Sequence, residues 1–453
     1  MKLTFLGATQ TVTGSKYLLE DGNQKIMIDC GLFQGLKELR LRNWDKFPIN
    51  PKSIDAVLLT HAHIDHSGYL PLLVKNGFEG KIYCSDATFD LCKILLADSA
   101  YLQEEDAARA NKYGYTKHKP ALPLYTQEDV IETLQHFKAV DFGKDIPLND
   151  VLSFRLSRVG HILGAASIRV DDGHTSIVFS GDVGRPNDPV MKPPAQIQEA
   201  DYLVVESTYG NRLHDKSDPL DQLEAIITKT IARGGSVIIP SFAVGRAQSL
   251  MYYIHTLIEK KRIPDIPVYL DSPMAINASN LLKQHYADHK LSPDLCADIC
   301  SSVIYTQTPE QSKEIYNKNN GLPVVVISAS GMATGGRILH HLKHFIGDKR
   351  NTILFAGFQA AGTRGARLIN GEKEIKIHGE FHPVRAEILN LENISAHADY
   401  EEMLEWLGHF RKPPRKTFLT HGEAEAAEAF KKKIEEHLHW NVEVPIYLEQ
   451  VDL

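Results

Sequence analysis

The sequence predicts an α/β protein in which one domain is interrupted by a second, doubly wound α/β domain. Up to about residue 208, short strands alternate with helices. From 209 to 394, helices alternate with parallel-type strands that run into Gly-rich turns, and near residue 395 the pattern changes again. The predicted domains are therefore 1–208 together with 395–453 for the outer domain, and 209–394 for the insertion.

Apolar alternation and turn residues mark the elements of the first segment. Strands are predicted at 2–6, 16–19, 25–29, 56–59, 81–84, 153–159, 167–170, 175–180 and 202–206. Helices are predicted at 66–75 and 91–111. In the insertion, we expect helices at 220–232 and 245–260, and strands at 236–239, 267–270, 324–328 and 352–355. The last segment predicts a helix at 400–410, a strand at 416–420 and a charged helix at 423–437.

Composition excludes several classes of protein. Of 453 residues, 43% are hydrophobic and 24% charged, as in ordinary globular domains. The net charge of −7 counts against a protein that binds nucleic acid through overall charge, so such a partner would need a local basic groove. The five scattered cysteines fit a reducing compartment. We see no signal peptide and no apolar run of about 18 residues, so a cytoplasmic protein without membrane contact is expected.

The strongest local signal is the pattern H-x-H-x-D-H formed by His61, His63, Asp65 and His66 directly after a buried strand. Imidazole nitrogens and carboxylate oxygens are natural zinc ligands where thiolates are absent. Alternate residues of a tight loop point in different directions. His61 and His63 can therefore reach one metal while Asp65 and His66 reach a second. A polar loop with chance histidines is the alternative, and four candidate ligands within six residues argue against it.

This pattern closely resembles the signature of the metallo-β-lactamase superfamily. The resemblance implies an αββα sandwich with two zinc ions (Zn2+) per chain, although His/Asp sites also accept Mn or Fe. Three further positions match in order: Asp29 at a strand end, His161 in VGHILGA, and Asp182 in SGDVG. By resemblance, one zinc would be held by His61, His63, His161 and Asp182, and the other by Asp65, His66, Asp182 and His421. Asp29 would orient a ligating histidine.

Three more motifs resemble those of the β-CASP family, which includes the endonuclease subunit of the cleavage and polyadenylation factor and its short bacterial and archaeal relatives. They are Glu206 in VESTYGN, His397 in SAHAD and His421 in LTHGE. The resemblance implies an endoribonuclease with Asp65, His397 and Glu206 as catalytic residues. Hydroxide made by two metals would attack single-stranded RNA, and His397, oriented by Glu206, would protonate the departing 3′ oxygen. The products would carry a 3′-hydroxyl and a 5′-phosphate.

Substrate phosphates are expected on the insertion. The turn Ser330-Gly331-Met332 follows a strand, and backbone N–H groups at such turns bind anions, although many Gly-rich turns are only tight connections. Arg246 and Arg364 follow similar strands. His382 is a further candidate, and a packed surface histidine is the competing interpretation.

Other functions stay open at this stage. A small-molecule hydrolase of thioesterase or lactonase type would not need His397 or the insertion, and a catalytically silent RNA-binding subunit would have lost metal ligands. A DNA nuclease is disfavoured because the family's DNA-processing members usually carry an apolar residue at the position of His397. A 5′-3′ exoribonuclease is disfavoured because the chain stops at Leu453, without the long extension of that branch. The chain also starts directly at the predicted catalytic fold, so we expect RNA selection by a groove or by an RNA-processing partner. A homodimer is left open.

Overall fold

The computed structural model describes residues 1–114, 116–318, 322–360 and 362–453. Within these ranges the chain separates into two compact units. The first unit consists of Met1–Asp188, Lys192–Leu213 and His397–Leu453. The second consists of Pro189–Met191 and His214–Ala396.

In the described part of the first unit, eleven strands and five α-helices precede residue 214. The strands are β1 (Lys2–Phe5), β2 (Tyr17–Asp21), β3 (Gln24–Ile28), β4 (Ala56–Leu58), β5 (Lys81–Cys84), β6 (Phe137–Ala139), β7 (Asp145–Pro147), β8 (Ser153–Arg158), β9 (Ala166–Asp171), β10 (Ser176–Phe179) and β11 (Tyr202–Glu206). The helices are α1 (Lys37–Leu41), α2 (Ile64–Ser67), α3 (Leu70–Lys75), α4 (Asp86–Tyr113) and α5 (Gln127–Leu134).

The second unit follows, and the chain then returns to the first. Its helices are α6 (Pro219–Ala232), α7 (Arg246–Glu259), α8 (Pro273–Leu282), α9 (Pro293–Ser301), α10 (Pro309–Lys318), α11 (Ile338–Phe345) and α12 (Arg364–Ile369). Its strands are β12 (Val237–Pro240), β13 (Val268–Asp271), β14 (Ile304–Tyr305), β15 (Val325–Ser328), β16 (Thr352–Ala356), β17 (Glu374–Ile377), β18 (Glu380–Pro383) and β19 (Glu387–Leu391). The returning segment forms α13 (Tyr400–Leu407), β20 (Lys416–Thr420), α14 (Ala424–Leu438), β21 (Val442–Glu443) and β22 (Gln450–Asp452).

Two seven-stranded sheets form the centre of the first unit, in the orders β22-β1-β2-β3-β4-β5-β6 and β21-β20-β11-β10-β9-β8-β7. Phe5 of the first sheet and Phe154 and Ile168 of the second belong to one buried cluster, so the sheets pack face to face. Helices α13 and α14 cover the outer face of the second sheet with buried residues such as Trp406 and Phe430. Helix α4 contacts the first sheet at β6. This is the predicted αββα sandwich.

A parallel strand pair joins the two sequence segments of the first unit. Strand β11 pairs with β20 from Tyr202 opposite Lys416 to Glu206 opposite Thr420. Strand β11 comes shortly before the second unit in the sequence, and β20 comes after it. The second sheet is therefore completed by strands that follow the second unit. The ends of both strands therefore lie side by side, and each bears a predicted site residue at or just beyond its end.

The second unit is built on a parallel six-stranded sheet in the order β14-β13-β15-β12-β16-β19, with a separate β17–β18 hairpin. Ile238 of β12 belongs to a buried cluster on one face, with Leu342 of α11 and Leu368 of α12. Ile239, which points to the opposite face by strand alternation, is also fully buried. Both faces are thus covered, as expected for a doubly wound sheet.

One predicted helix is broken in the structure. The single helix expected at 66–75 is two short helices, α2 and α3, with Gly68 and Tyr69 between them. Pro71 lies in the first turn of α3, where its missing N–H leaves no hydrogen bond unmade. In a continuous helix the same proline would have removed a bond to the preceding turn. The break leaves the metal-motif residues on a compact loop and a single turn of helix.

Helix α4 is the longest helix in the described ranges, with 28 residues. It begins earlier than predicted because the Ser85 hydroxyl accepts a hydrogen bond from the Thr88 backbone N–H. Among helices in the described ranges, none combines the length and the apolar character needed to cross a bilayer. All five cysteines are buried free thiols, and Cys296 and Cys300 lie on α9.

Candidate metal centre and catalytic residues

The predicted metal ligands lie just beyond the carboxyl ends of strands from both sheets of the first unit. The His61–His66 segment follows β4, and Asp29 follows β3. The remaining positions are His161 after β8, Asp182 after β10, Glu206 at the end of β11 and His421 after β20. Sheet geometry thus gathers side chains that are hundreds of residues apart in the sequence at one edge of the sandwich.

Two of these residues adopt a backbone conformation that is unusual for a residue with a Cβ. Asp29 has φ 56° and His421 has φ 50°, both in the left-handed region. Each is fixed by a backbone hydrogen bond, from Asp29 N to Leu58 O at 2.9 Å and from His421 N to Ala8 O at 2.7 Å. Strained backbone of this kind concentrates at functional sites, where it aims a side chain.

His61, His63, His161 and Asp182 form the first cluster. His63 Nδ1 lies 3.1 Å from His61 Nε2 and 3.2 Å from His161 Nε2. Asp182 Oδ2 lies 3.5 Å from His61 Nε2 and 3.4 Å from His161 Nε2. One nitrogen or oxygen of each residue faces the others, all within 4.8 Å.

Asp65, His66 and His421 form the second cluster, again within 4.8 Å of one another. His66 Nε2 lies 3.1 Å from His421 Nε2, which in turn lies 3.3 Å from Asp65 Oδ2. Asp182 reaches this cluster as well, because its Oδ1 lies 3.3 Å from His66 Nε2. The Asp182 carboxylate therefore presents one oxygen to each cluster.

These separations suit metal ions better than direct hydrogen bonds. A tetrahedral ion with bonds of about 2.0–2.2 Å spaces its ligand atoms roughly 3.3–3.6 Å apart. The Nε2 atoms of His66 and His421 face each other at 3.1 Å, although a neutral imidazole has only one N–H. Asp182 Oδ1 is buried and has no hydrogen-bond partner among the described residues. A cation would compensate such an oxygen.

The protonation states also fit metal binding. Burial holds the pKa of His61 well below its usual value and lowers the pKa of His63 to about 4, so both imidazoles are neutral. Burial alone would raise the pKa of Asp182, but the imidazoles of His421, His66 and His61 outweigh it and hold that pKa well below its usual value. Neutral imidazole and ionised carboxylate are the forms that bind metals.

Asp29 lies behind the clusters and is 1% exposed. Its Oδ2 is 2.7 Å from His66 Nδ1 and accepts a hydrogen bond from the Thr60 hydroxyl at 2.9 Å, while Oδ1 accepts from Thr60 N at 2.7 Å. Burial alone would lower the pKa of His66, but the Asp182 and Asp29 carboxylates raise it well above its usual value. The two carboxylates thus stabilise positive charge at this histidine.

Glu206 and His397 form a pair beside the first cluster. His397 Nδ1 lies 3.0 Å from Glu206 Oε2 and 3.2 Å from Oε1. The carboxylate also accepts hydrogen bonds from Val183 N and from the Thr208 hydroxyl, both at 2.5 Å. Burial alone would lower the pKa of His397, but Glu206 outweighs it, with smaller help from Asp182, and raises the pKa to about 9. His397 is therefore a cation at neutral pH.

All six predicted substrate-binding residues belong to the second unit: Ser330, Gly331, Met332, Arg246, Arg364 and His382. The Ser330 hydroxyl accepts hydrogen bonds from Thr334 N at 3.1 Å and Gly335 N at 3.4 Å. The Ser330 side chain thus stabilises the turn through hydrogen bonds to its backbone.

The two predicted arginines differ in burial, since Arg246 is buried and Arg364 is half-buried. Arg364 donates from Nε to Lys376 O at 2.9 Å and from Nη1 to the carbonyls of Ala333 and Thr334. Arg246 is 8% exposed at the start of α7, and His382 is half-buried on the β17–β18 hairpin. Arg364 therefore holds the backbone that directly follows the Ser330-Gly331-Met332 turn.

Two threonines in contact with the site were not identified from the sequence. Thr60 directly precedes His61, and Thr208 lies two residues after Glu206. Both hydroxyls contact a buried carboxylate and a histidine of the site. Their position next to the motifs is the only sequence signal, and it could not reveal which long-range partners they have.

Three family models match the chain. They are the metallo-beta-lactamase superfamily over residues 11–233, the Beta-Casp domain over 247–368, and the Zn-dependent metallo-hydrolase RNA specificity domain over 382–445. The first and third models indicate that activity depends on metal, and the third supports RNA binding.

Individual proteins are similar over nearly the whole chain. Ribonuclease TTHA0252 of Thermus thermophilus is 36% identical over 439 residues, which cover 95% of each chain. Transcription termination factor FttA of Methanosarcina mazei is 32% identical over 98% of this chain and 71% of its own length. A crystal structure of a protein of unknown function from Enterococcus faecalis V583 is 14% identical, with a TM-score of 0.55 over 100% of this chain and 99% of that one, and supports the fold alone.

The family predicted from the sequence is therefore confirmed by both kinds of sequence comparison. The motif order, the αββα sandwich and the doubly wound second unit agree with it. The chain belongs to the β-CASP family of metallo-β-lactamase-fold ribonucleases, which are hydrolytic RNA-cleaving enzymes.

Proposed function

We propose that this chain is a two-zinc endoribonuclease that hydrolyses phosphodiester bonds of single-stranded RNA and leaves a 3′-hydroxyl and a 5′-phosphate. The observation that carries the proposal is the position of His397. Its Nε2 lies 4.0 Å from Oδ2 of Asp182, the carboxylate that faces both metal clusters, while its Nδ1 is held by Glu206. A proton donor thus lies beside the metal clusters.

The metal ligands in this proposal are those of the two clusters. His61, His63, His161 and Asp182 would hold one zinc ion, and Asp65, His66, Asp182 and His421 the other. When bound, the two ions lower the pKa of a water molecule and neutralise charge that develops on the phosphoryl oxygens. The chain supplies the neutral imidazoles and ionised carboxylates that this binding requires.

Asp65 and His397 would handle protons on the two sides of the reaction. The Asp65 side chain is 19% exposed, and its Oδ2 lies at the second cluster, so this carboxylate can accept a hydrogen bond from the attacking water. His397 Nδ1 donates to Glu206, which leaves Nε2–H for the departing 3′ oxygen. A pKa above neutrality keeps that proton in place until the oxygen leaves.

The second unit would bind the RNA backbone. In the proposal, the Ser330-Gly331-Met332 turn, Arg246, Arg364 and His382 contact phosphates of the bound RNA. Support comes from their positions: the Ser330 turn follows β15 and Arg246 lies after β12, and ligands of doubly wound sheets bind beyond the carboxyl ends of the strands. We also propose that residues 1–208 and 395–453 form the catalytic domain and that residues 209–394 form the inserted RNA-binding domain.

The test uses a circular single-stranded RNA, a linear RNA of the same sequence and the matching DNA. Each is incubated with zinc-loaded wild type, with His397→Ala and with His174→Ala, which alters an exposed histidine in the β9–β10 turn. Zinc content is measured for every preparation. We expect wild type and His174→Ala to open the circular RNA, and His397→Ala to keep two zinc ions but lose about 10²–10⁴-fold in rate.

Each other outcome rejects a defined part of the proposal. Cleavage of linear but not circular RNA would show a 5′-3′ exoribonuclease, and equal cleavage of DNA would remove the RNA preference. A wild type that carries two zinc ions but leaves every nucleic acid intact would point to a small-molecule hydrolase or to a required RNA-processing partner. Light scattering of the same samples would show whether the chain forms a homodimer.

A further inference from the structure

Two buried carboxylates support the candidate site from opposite sheets, and both have the same pattern of contacts. Asp29 follows β3 of the first sheet, and Glu206 ends β11 of the second. They are 1% and 3% exposed. Each accepts a backbone N–H with one oxygen, contacts one site histidine with the other, and also accepts a threonine hydroxyl.

On the first sheet the threonine is Thr60. Its hydroxyl donates to Asp29 Oδ2 at 2.9 Å and lies 3.1 Å from His61 Nδ1. His66 Nδ1 contacts the same Oδ2 at 2.7 Å. The Asp29 carboxylate therefore reaches two histidines, His66 directly and His61 through the Thr60 hydroxyl.

On the second sheet the threonine is Thr208. Its hydroxyl lies 2.5 Å from Glu206 Oε2 and 3.2 Å from His421 Nδ1. His397 Nδ1 contacts the Glu206 carboxylate directly. Glu206 therefore also reaches two histidines, His397 directly and His421 through a hydroxyl.

The single proton of the Thr208 hydroxyl decides how these contacts operate. The carboxylate at 2.5 Å is the strongest acceptor within reach, and the His421 carbonyl at 2.9 Å is the competing one. Once the proton lies on the Glu206 side, the hydroxyl oxygen can only accept, so His421 must carry its proton on Nδ1. Its Nε2 then presents a lone pair to Asp65 and His66. The same reasoning assigns Nδ1–H to His61 through Thr60.

We propose that Thr60 and Thr208 are positioning residues, whose hydroxyls extend the reach of Asp29 and Glu206 to a second histidine and fix its tautomer for metal binding. This inference rests on the ligand set of the proposed function. It links the general acid to the metal centre, because Glu206 orients both His397 and, through Thr208, a ligand of the second zinc ion. Loss of a group that orients a ligating histidine typically weakens metal binding by about 10–100-fold.

The experiment measures zinc bound per chain over a series of buffered free-zinc concentrations. The variants are Thr60→Val and Thr208→Val, which keep the side-chain shape without the hydroxyl, and Thr60→Ser and Thr208→Ser, which restore it. Thr417→Val is the matched control, because Thr417 is fully buried on β20 and its hydroxyl has no hydrogen-bond partner within the described ranges. Unfolding of the zinc-free proteins shows that each variant is folded.

We expect each valine variant to bind one of its two zinc ions about 10–100-fold more weakly. The serine variants and Thr417→Val should match wild type. An Asp65→Asn background identifies the site. Thr208→Val should leave the zinc ion that this background still binds tightly unaffected, because both changes weaken binding of the other ion, whereas Thr60→Val should weaken its binding.

Three results would overturn the inference. The first is a folded Thr208→Val or Thr60→Val protein that binds both zinc ions as tightly as wild type. The second is loss of zinc that serine does not restore, which would indicate a packing role for the threonine methyl group. The third is a wild type that binds fewer than two zinc ions, which alone among the three would also reject the ligand set of the proposed function.

Discussion

His397 Nδ1 lies 3.0 Å from the Glu206 carboxylate, which is itself only 3% exposed and accepts two further hydrogen bonds. A carboxylate so enclosed cannot turn away from the imidazole. It therefore fixes which nitrogen of His397 faces the metal clusters and also stabilises the imidazolium form. The rate of cleavage should therefore depend on pH through the contact between Glu206 and His397.

Glu206→Gln is expected to move the alkaline limb of the pH–rate profile to lower pH. His397 acts as an acid only while protonated, and its pKa of about 9 depends chiefly on the Glu206 charge. Activity is therefore present below the His397 pKa and lost as pH rises through it. Removal of the charge lowers that pKa, so the limb should shift down by about 1–3 pH units. Single-turnover cleavage between pH 6 and 10 measures the shift.

The comparison for this prediction is Glu199→Gln, which neutralises an exposed carboxylate in the same unit. It should leave the limb where wild type has it. If Glu206→Gln lowered the rate equally at every pH, Glu206 would act on orientation alone and the assignment of the alkaline limb to His397 would be wrong.

A second prediction concerns the Asp182 carboxylate, whose two oxygens face different clusters. Oδ2 lies 3.4 Å from His161 Nε2, and Oδ1 lies 3.3 Å from His66 Nε2. Asp182→Asn should therefore weaken the binding of both zinc ions, because the amide offers one neutral acceptor in place of two anionic oxygens. Asp65→Asn should weaken the binding of only one ion. Metal analysis after dialysis at graded zinc concentrations distinguishes one lost ion from two.

Asp150→Asn, at an exposed position before β8, serves as the control and should retain both zinc ions. Equal losses in Asp182→Asn and Asp65→Asn would mean that the carboxylate of Asp182 does not serve both ions.

A third prediction concerns the turn that carries the second half of the metal motif. A Cβ added at Gly31 would lie 1.6 Å from Asp65 O and 2.5 Å from His66 N. Both are backbone atoms, so no side chain can move to make room. Gly31→Ala should displace Asp65 and His66 together and lower zinc binding and cleavage by at least about 100-fold, the scale expected for a misplaced ligand.

Gly347→Ala provides the comparison, because nothing lies within 4 Å of a Cβ built at that exposed position. It should leave zinc binding and cleavage unchanged. If Gly31→Ala bound zinc as tightly as wild type, the loop that carries Asp65 and His66 would accommodate the added methyl group, and the prediction would be wrong.

The sequence could predict the ligand-bearing strand ends because each is a local pattern. A buried apolar run followed by His61 or Asp182 identifies both the strand and the polar residue beyond it, and the edge of a sheet then brings such residues together. The family and, by resemblance, the sandwich followed from the order of the motifs, whereas the doubly wound insertion followed from the alternation of helices and strands after residue 208. The structure places the four atoms of the first cluster within 4.8 Å of one another.

The threonine contacts could not be predicted, since they join residues far apart in the sequence. Thr60 meets Asp29 across 31 positions, and Thr208 meets His421 across 213. Hydroxyl groups have no periodicity that marks such partners. The broken helix at 66–75 was missed for a different reason: its apolar spacing is helical on both sides of Tyr69, and only Pro71 marks the break.

The fourth prediction concerns the second unit, where Asp271 is fully buried at the end of β13. Its Oδ1 accepts hydrogen bonds from Thr306 Oγ1 at 2.6 Å and Arg337 Nη1 at 2.7 Å. Its Oδ2 accepts from Ser312 Oγ at 2.5 Å and faces His341 Nε2 at 2.6 Å. Burial alone would raise the pKa of Asp271, but the hydrogen bonds from His341, Ser312 and Thr306 outweigh it and hold the pKa well below its usual range.

Asp271→Asn should lower the free energy of unfolding of the second unit by about 3–5 kcal/mol at pH 7, because an amide NH₂ would meet two donors and Arg337 would lose its counter-charge. The sign of the pH dependence follows from the lowered pKa. Asp271 contributes stability above the unfolded-state pKa of about 4, and that contribution is lost as pH falls further. Urea unfolding at pH 7 and pH 3 should therefore show a difference from wild type that shrinks at the lower pH, whereas the exposed Asp265→Asn should show no difference at either. If the difference in unfolding free energy were the same at both pH values, the hydrogen bonds that Asp271 accepts, and not its negative charge, would account for its contribution to stability.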